Sequence, residues 1–523
     1  MEKVTLINII ELLIHNFNKI DIIKYFTIIS ISIFLFTNII SSSTLNLTFQ
    51  HNLNWSTYRH DPSNSGLQPI KGTGDISDYG IIWAKRYEQV MIYGEPIVAN
   101  IDLNGDNEII FGNDNGMVYC LDKDGDINWK FQCENEANSF LGNKISSTPT
   151  AIDLIGNNEL EIIVSSANGV VYCLSTWGDL IWKYQTDDAI ESSPAIDDIT
   201  GDGILDIVIM SYDGLYALTN DGQLIWKYGI EKGGISSPAI SDVNNDNLND
   251  IIVGGINGIL YAFTTEKKVD INGNPPQLLP KLLWSYSTQI VDNLGILSSP
   301  VVIDLNNDHS YEIIFGASDS SLYCLDQNGN KSWNLITDGP IYNTPAFGDI
   351  NNDGYLEIII GTSMGTLYVL TYNGDCIWSI HYQIKIVPKP VIFDIDGDGY
   401  LEITSIDESR YIASPDAENK PMLYSINILD YKGDIKHRLK YVSKVYDRFY
   451  GVSVADLDND GKLEILTGTS MGTLYVYGES DENNNNLINS NNSSSNKNYY
   501  VCFFMIFIII IICIIIFYIK FKK

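Results

Sequence analysis

An internal repeat of about 45 residues runs through most of the chain and restricts its fold more than any other feature. The clearest copy, residues 192–228, reads SSPAIDDITGDGILDIVIMSYDGLYALTNDGQLIWKY. It contains four short runs of β-branched and aromatic residues, separated by an acidic loop, a glycine turn and an Asp-Gly turn, which is typical of consecutive antiparallel hairpins. Four-stranded repeats of this length are typical of β-propeller blades. The repeat therefore predicts an all-β chain.

The acidic loops and the tryptophan-bearing fourth strand of the repeat give the number of blades. The acidic loops begin at Asp102, Asp153, Asp198, Asp242, Asp304, Asp349, Asp394 and Asp456. The fourth strand lies around Trp83, Trp129, Trp182, Trp226, Trp284, Trp333 and Trp378, and in a version without tryptophan near Ile435. Trp83 precedes the first complete copy, whereas the last copy ends at Tyr477 without a fourth strand. We expect an eight-bladed β-propeller closed by the N-terminal strand GIIWAKRY, with no open sheet edge at the seam.

Several segments resemble known propeller families. ALTNDGQLIWKY and CLDKDGDINWKF resemble the tryptophan-docking repeat of quinoprotein-like (pyrroloquinoline quinone-like) propellers, and NWSTYRHDPSNSGL, residues 54–67, is similar to the lead-in segment common in that group. The loops DIDGDGYLE and DLDNDGKLE resemble the FG-GAP calcium repeat of integrin α-type propellers. The resemblance covers residues 54–478 and implies the propeller fold, but a fold does not by itself imply a function.

The acidic loops are candidate calcium sites. Their best form is Asp-x-Asp/Asn-x-Asp-Gly-x-x-Glu, in which oxygen ligands alternate, glycine allows a sharp turn and a final carboxylate closes the cage around a hard cation. Four loops fit this form best: Asp394, Asp396, Asp398 and Glu402; Asp456, Asp458, Asp460 and Glu464; Asp349, Asn351, Asp353 and Glu357; and Asp198, Thr200, Asp202 and Asp206. Asp, Asn and Gly also make good turns without a metal, but the repetition at mostly fixed spacing favours several structural calcium ions.

Two further loops are also predicted to bind calcium, although each lacks the glycine. They consist of Asp304, Asn306, Asp308 and Glu312, and of Asp242, Asn244, Asp246 and Asp250. His309 and Asn247 take the glycine position, and asparagine tolerates the positive φ that this position requires. No calcium is assigned to the loop at Asp102, which is short, or to that at Asp153, which has Ile155 at a ligand position.

The composition excludes some classes of function. The formal net charge of −33 argues against a nucleic-acid surface, because phosphate binding requires clustered lysine and arginine. The seven cysteines are too few and too irregularly placed for a disulfide framework. Cys120, Cys173 and Cys324 share one repeat position, and we expect them in the core as small apolar residues.

Both ends of the chain are predicted to direct it to a membrane. Residues 499–518 are apolar and long enough for a transmembrane helix, and the basic tail 519–523 places the C-terminus in the cytoplasm. Residues 1–43 resemble a signal peptide or, if uncleaved, a signal anchor that would add a second span. Residues 479–498 are rich in Asn and Ser and predict a disordered stalk. Asn-x-Ser/Thr glycosylation triplets begin at Asn46, Asn54, Asn330, Asn491 and Asn492.

No catalytic constellation is evident, so the sequence favours a non-catalytic, calcium-stabilised extracytoplasmic propeller for binding or adhesion, anchored as a single-pass type I membrane protein. A protein or glycan ligand is expected on the face opposite the calcium loops, where residues 132–144, 287–297 and 408–422 depart from the repeat. The basic segment 432–448 is either a docking site for an acidic partner or a solvated edge strand. The alternatives are a quinoprotein-like dehydrogenase, although the chain lacks the adjacent cysteine pair of that family, and a scaffold for envelope protein assembly.

Overall fold

The computed structural model describes residues 56–480, except residues 89, 135–140, 269–276, 383–388, 410–421 and 444–446. The chain divides into two units, residues 1–53 and 54–523, and every described residue belongs to the second. The predicted signal segment, nearly all of the predicted stalk, the predicted transmembrane helix and the basic tail lie outside the described residues. In the described part of the chain, no helix combines the length and apolar character needed to cross a membrane.

The described residues form eight β-sheets and one short 3-10 helix, Ile76–Asp78. We number the strands β1–β33 in chain order and the sheets as blades one to eight. Blades one to three are β3–β6 (Ile97–Ala99, Glu108–Gly112, Met117–Leu121, Ile127–Gln132), β7–β10 (Thr150–Ile152, Glu161–Ser165, Val170–Leu174, Leu180–Gln185) and β11–β14 (Ala195–Asp197, Asp206–Ser211, Gly214–Leu218, Leu224–Gly229).

The remaining blades have the same antiparallel order. Blades four to six are β15–β18 (Ala239–Ser241, Asp250–Gly254, Ile259–Lys268, Gln277–Ser287), β19–β22 (Val301–Ile303, Glu312–Gly316, Ser321–Asp326, Lys331–Ile336) and β23–β26 (Ala346–Gly348, Glu357–Gly361, Thr366–Leu370, Cys376–His381). Blade seven is β27–β30 (Ile392–Asp394, Glu402–Ser409, Met422–Leu429, Ile435–Ser443) with β1 (Leu67–Lys71), and blade eight is β2 (Tyr79–Arg86) with β31–β33 (Phe449–Ala455, Glu464–Thr469, Thr473–Glu479).

Blade eight joins the two ends of the propeller chain. Its outer strand β2 pairs antiparallel with β33, from the Tyr79–Glu479 pair to the Arg86–Thr473 pair. This pairing confirms the predicted all-β, eight-bladed propeller and its closure by the N-terminal strand. Strand β1, which the repeat did not predict, adds a parallel fifth strand beside the innermost strand β27 of blade seven.

The core lies between adjacent blades. Second strands such as β4 and β8 are buried along their whole length, whereas fourth strands such as β6 and β10 alternate between exposed and half-buried residues. A middle strand is covered by other blades on both faces, so it requires a continuous apolar run, while an outer strand needs only one apolar face. The three cysteines of the shared repeat position are buried, as predicted.

The tryptophans connect each blade to the next. Trp129 donates its Nε1–H to the Thr176 carbonyl at 2.9 Å, and its ring covers Gly178 in the following blade. A Cβ atom at Gly178, whose φ is +79°, would lie 2.6 Å from Trp129 Cδ2, so only glycine fits this turn. Equivalent bonds join Trp83 to Lys123, Trp182 to Asn220, Trp284 to Gln327 and Trp378 to Tyr431.

Residues 56–66, which we name the channel segment, cross the centre of the ring. Their backbone carbonyls accept hydrogen bonds from the innermost strands of five blades. These bonds join Ala151 to Ser56, Ile240 to Pro62, Val302 to Ser63, Phe347 to Ser65 and Ile392 to Gly66, at 2.9–3.3 Å. Because the innermost strands line the centre of a propeller, the channel segment fills the central channel with the chain's own residues.

Arg59 anchors the channel segment. Its side chain is fully buried, and Nη1 and Nη2 donate to the carbonyls of Pro390 and Pro345 at 2.8 and 3.1 Å. The guanidinium packs against Gly66, where any Cβ would overlap with it. Tyr58 Oη lies 2.8 Å from Thr344 Oγ1, two residues before the inner strand β23, so the segment also binds a blade through side chains.

Replacing Arg59 by alanine should strongly destabilise the propeller, because two buried carbonyls would lose their charged donor. We expect a loss of about 3 kcal/mol or more in the free energy of unfolding, measured by guanidinium chloride denaturation of the purified protein. Lys130→Ala, which removes an exposed side chain from an outer strand, is the control and should change it by less than about 0.5 kcal/mol. Equal stability of the Arg59→Ala and wild-type proteins would contradict the anchoring role.

Candidate functional site

The acidic loops connect the first and second strands of each blade, so all of them lie at one end of the ring. In the loop of blade eight, Asp456 Oδ1 accepts the N–H of Asp460 at 3.1 Å and Oδ2 accepts that of Gly461 at 3.0 Å. The first aspartate thereby folds the loop around itself, as short polar side chains do in turns. This local structure follows directly from the sequence motif.

The 24 predicted ligand residues occupy equivalent positions in six of these loops. The fifth-position aspartates are exposed in all six loops: Asp202, Asp246, Asp308, Asp353, Asp398 and Asp460. The ninth-position carboxylates are buried at Asp206, Asp250, Glu357, Glu402 and Glu464, and half-buried at Glu312. Each loop thus has an exposed aspartate at its fifth position and a less exposed carboxylate at its ninth position, on one side of the blade.

The ninth-position carboxylates are electrostatically unfavourable in the folded protein. Glu464 Oε2 accepts the Leu457 N–H at 2.8 Å, but burial, together with the three loop aspartates, raises the pKa of Glu464 to about 8. Burial likewise raises the pKa values of Asp206 and Glu357 to about 7. A buried carboxyl group of this kind either binds a proton or is compensated by a nearby positive charge. A divalent cation in the loop would provide it.

Two of the predicted loops bring three carboxylates close enough to share one ion. Ligand oxygens lie within 4.8 Å of one another in the group of Asp394, Asp396 and Glu402 and in that of Asp456, Asp458 and Asp460. These are the two loops that match the calcium motif best. Across the described residues, the other four predicted loops do not bring three carboxylates together in this way.

Two of the predicted loops contain buried carboxylate oxygens without a hydrogen-bond partner. Asp394 is 2% exposed and its Oδ1 has no hydrogen-bond partner, and neither carboxylate oxygen of the fully buried Asp250 has one. Leaving such atoms unsatisfied is costly. The donor set consists of carboxylate and amide oxygens, which hard cations such as calcium prefer, so the residues fit a calcium ion.

A lysine that the motif did not predict contacts the loop of blade seven. Lys436 Nζ, on the outer strand β30, lies 2.6 Å from Glu402 Oε1, 2.9 Å from Asp396 Oδ2 and 3.6 Å from Asp398 Oδ2. Burial lowers the pKa of Lys436, but the two nearest carboxylates raise it above its ordinary value. This side chain of the basic segment is therefore directed at the loop of its own blade. A lysine directly before the repeat's tryptophan position is the sequence signal that could have indicated this contact.

Asparagines connect the loops of neighbouring blades. Asn307 Nδ2 donates to the Gly354 carbonyl and Asn352 Nδ2 to the Gly399 carbonyl, each at 2.7 Å. A third bond, from Asn459 to Gly105, crosses the seam between blades eight and one. The calcium motif gives these fourth-position residues no role, because a bond between blades cannot be recognised within a single repeat.

A cavity of about 430 Å³ also lies on the loop face, between blades one and two. Its lining includes Asp102, Glu108 and Asp122 together with two tryptophans, Trp129 and Trp177. Trp177 is 63% exposed. The shortened loop at Asp102, to which no calcium was assigned, forms one side of this cavity.

The opposite face contains the glycine turns and the connections between blades. Tyr93, in the connection between blades eight and one, is 49% exposed and stacks on Tyr450 at a ring separation of 4.7 Å. Nearby blade connections contribute an ion pair between Lys144 and Glu191, whose Oε2 accepts the Tyr212 hydroxyl at 2.6 Å. This face therefore combines a stacked aromatic pair, of which Tyr93 is exposed, with charged hydrogen-bonding groups.

Comparisons with known proteins agree with this architecture. The model of the lambda-carrageenase β-propeller domain family matches residues 78–140 and 150–195, and that of the FG-GAP-like repeat family matches residues 304–360 and 349–405. Each match covers less than half of the chain. The FG-GAP-like match contains the acidic loops of blades five to seven. No curated protein shows significant sequence similarity to the chain.

Solved structures of similar fold include proteins with different names and roles. BamB from Moraxella catarrhalis is 14% identical, with a TM-score of 0.52 over 76% of this chain and 99% of its own. A europium-containing methanol dehydrogenase is 12% identical, with a TM-score of 0.56 over 81% and 98%. The V. cholerae biofilm matrix protein Bap1 is 13% identical, with a TM-score of 0.52 over 78% of this chain and 92% of its own. Such similarity establishes the fold alone.

Substitutions at Asn352 should separate its hydrogen bond to the next blade from its tolerance of a left-handed backbone. The residue has a φ of +59°, so Asn352→Gly loses only the hydrogen bond between blades, whereas Asn352→Ala also incurs left-handed strain. We expect a destabilisation of about 1 kcal/mol for glycine and about 2 kcal/mol for alanine, measured by denaturant unfolding. Equal stability of wild type and the glycine variant would show that the bond contributes nothing.

Proposed function

We propose that this chain is a non-catalytic binding propeller, stabilised by calcium on one face and recognising a glycan or protein through the other. The filled central channel is the main observation supporting this function. The channel segment bonds to the inner strands of five blades and buries Arg59 completely, so it occupies the space that a ligand in the channel would need. Recognition must then use an outer face of the ring.

Calcium is the ion that the acidic loops fit best. The loops offer carboxylate and amide oxygens at alternate positions, and Asp394 and Asp250 retain buried oxygens without partners. Bound calcium would neutralise the ninth-position carboxylates and so stabilise the native state alone. Because the loops recur around the ring rather than at one central site, we assign the ion a structural role.

The face opposite the loops supports ligand recognition. Tyr93 and Tyr450 form an exposed aromatic surface, and tyrosine provides rigid amphipathic contact area at low entropic cost. Glu191 and Lys144 provide charged hydrogen-bonding groups on the same face. A flat aromatic ring flanked by such groups suits the mixed apolar and hydroxylated surface of a sugar. The family match to a propeller domain named for a carrageenase favours a glycan over a protein.

The alternative functions have less support. A dehydrogenase of the methanol dehydrogenase fold would need room for its cofactor, and the channel segment fills the centre of this ring. A scaffold for envelope protein assembly would also use an outer face, and crosslinking on intact cells would distinguish it from adhesion. We further propose that the apolar segment at residues 499–518 anchors the propeller outside a cell membrane as a single-pass type I protein.

Removal of calcium should lower the thermal stability of the propeller, because the clustered carboxylates would then repel one another. The melting temperature of the purified protein should fall in chelator and recover when calcium is added. Asp456→Asn should lose one bound calcium and melt lower than wild type in calcium but not in chelator. Asp375→Asn, which changes an exposed aspartate directly after an Asn-Gly turn on the same face, should match wild type in both. An unchanged melt with no calcium by metal analysis would contradict the proposal.

Ligand binding should depend on the face opposite the loops. On a glycan array followed by affinity measurement of the best ligand, Tyr93→Ala should weaken binding at least about tenfold, a typical loss for a buried aromatic contact. Trp177→Ala, which removes an even more exposed aromatic residue from the loop face (63% against 49% for Tyr93), should bind like wild type. If Trp177→Ala lost binding and Tyr93→Ala did not, the ligand would belong on the loop face.

A further inference from the structure

Lys436 occupies a repeat position at which the other blades have uncharged residues. Its neighbour His437 stands where the repeat has tryptophan, and the register confirms this, since Ile428 pairs with His437 as Val369 pairs with Trp378. The residues directly before the tryptophan are Ile82, Asn128, Ile181, Ile225, Leu283, Ser332 and Ile377. Of the eight equivalent positions, only that of blade seven carries a charge.

This repeat position faces the acidic loop of its own blade. In blade eight, a Cβ atom at Gly478 would lie 2.7 Å from Ile82 Cδ1 and 3.1 Å from Glu464 Oε1, so Ile82 lies beside the final carboxylate of that loop. In blade seven, Lys436 lies 2.6 Å from the equivalent carboxylate, Glu402 Oε1. The two best calcium motifs therefore differ in one neighbouring side chain, an isoleucine in blade eight and a lysine in blade seven.

We propose that Lys436 is a built-in cation that competes with calcium for the loop of blade seven. The inference rests on the proposed binding of calcium by the acidic loops. The Lys436 ammonium contacts the oxygens of Asp396 and Glu402 that a calcium ion would also need. Two cations cannot share these oxygens, because a hard ion requires six to eight oxygen ligands of its own and like charges repel at this distance. Calcium binds this loop only when Lys436 leaves it.

Other charged groups around the two loops do not remove this difference. Lys71 Nζ lies 3.5 Å from Asp394 Oδ2, but its side chain is 68% exposed and solvent screens such a pair. In blade eight, Lys462 Nζ lies 2.5 Å from Glu479 Oε2 and 3.6 Å from Asp460 Oδ2. No bond between Lys462 and Glu464 matches the one that Lys436 forms with Glu402. The loop of blade eight therefore depends on an external ion, whereas that of blade seven has an internal one.

A reciprocal exchange tests this inference. Lys436→Ile gives blade seven the isoleucine of blade eight, and Ile82→Lys gives blade eight the lysine. Isoleucine occurs at this outer-strand position in blades two, three, six and eight, and Ile82 is 37% exposed, so both substitutions suit the fold. Calcium titration of the full chain by calorimetry should show one more site per molecule in Lys436→Ile than in wild type, and one fewer in Ile82→Lys.

Melting in chelator provides an independent readout with the opposite sign. Without calcium, Lys436→Ile should melt below wild type, because Asp396 and Glu402 lose the cation that contacts them, and Ile82→Lys should melt above it. Lys436→Gln, which keeps a polar side chain without charge, should follow Lys436→Ile in both measurements and serves if the isoleucine variant folds poorly.

The outcomes distinguish this inference from the proposed function. If wild type binds calcium and both exchanges leave the number of sites and their affinities unchanged within threefold, Lys436 does not compete and the inference is wrong, while calcium binding stands. If neither wild type nor any variant binds calcium, the calcium proposal fails and the inference fails with it. A gain of one site in Lys436→Ile with a loss of one in Ile82→Lys would establish the competition.

Discussion

The structure depends on contacts between adjacent blades, because a single four-stranded sheet cannot bury both of its faces. Six of the seven repeat tryptophans close such a contact by covering a glycine turn of the following blade, as Trp129 covers Gly178, whereas Trp226 donates to Thr265 Oγ1 in the next blade. A contact of this kind needs a following blade, so the ring is stable only when it closes. Strand β2 provides the closure, because it places a strand from the N-terminal side of the propeller beside the last strand, β33, in one sheet. All the sites described above are positioned by that closed ring.

Features repeated in every blade could be predicted from the sequence, whereas features that occur once could not. The number of blades, the seam at Trp83 and the buried cysteines follow from comparing the repeats with one another. The channel segment has no counterpart in the repeats. Arg59 donates to the carbonyls of Pro345 and Pro390, which lie 286 and 331 residues later in the sequence. Such contacts depend on the closed ring, which places residues distant in sequence around one axis. The bonds from Asn352 and Asn307 to the next blade are hidden for the same reason.

The acidic loops combine a conformational and an electrostatic constraint. Their first aspartate accepts backbone N–H groups and so folds the loop without any metal, as Asp456 does with Asp460 and Gly461. The ninth carboxylate is also the first residue of a buried strand, so folding brings charge into an apolar region. The motif thus fixes the loop shape from the sequence alone but leaves the compensating charge to be supplied. Blade seven shows that a side chain of the protein can supply part of it.

Blade seven differs from the repeat at two adjacent residues, Lys436 and His437. Each of them makes a contact that the other blades form with different residues. His437 replaces tryptophan, and its Nε2 lies 3.0 Å from the Tyr79 carbonyl in the strand that closes the ring. Blade eight has no continuous glycine turn at this place, because its outer strand comes from the N-terminus. A tryptophan therefore has no turn to cover, and a smaller ring suffices. The same local change accounts for Lys436. The outer strand of blade seven lies next to the seam, so it can direct a charged side chain at the acidic loop of its own blade.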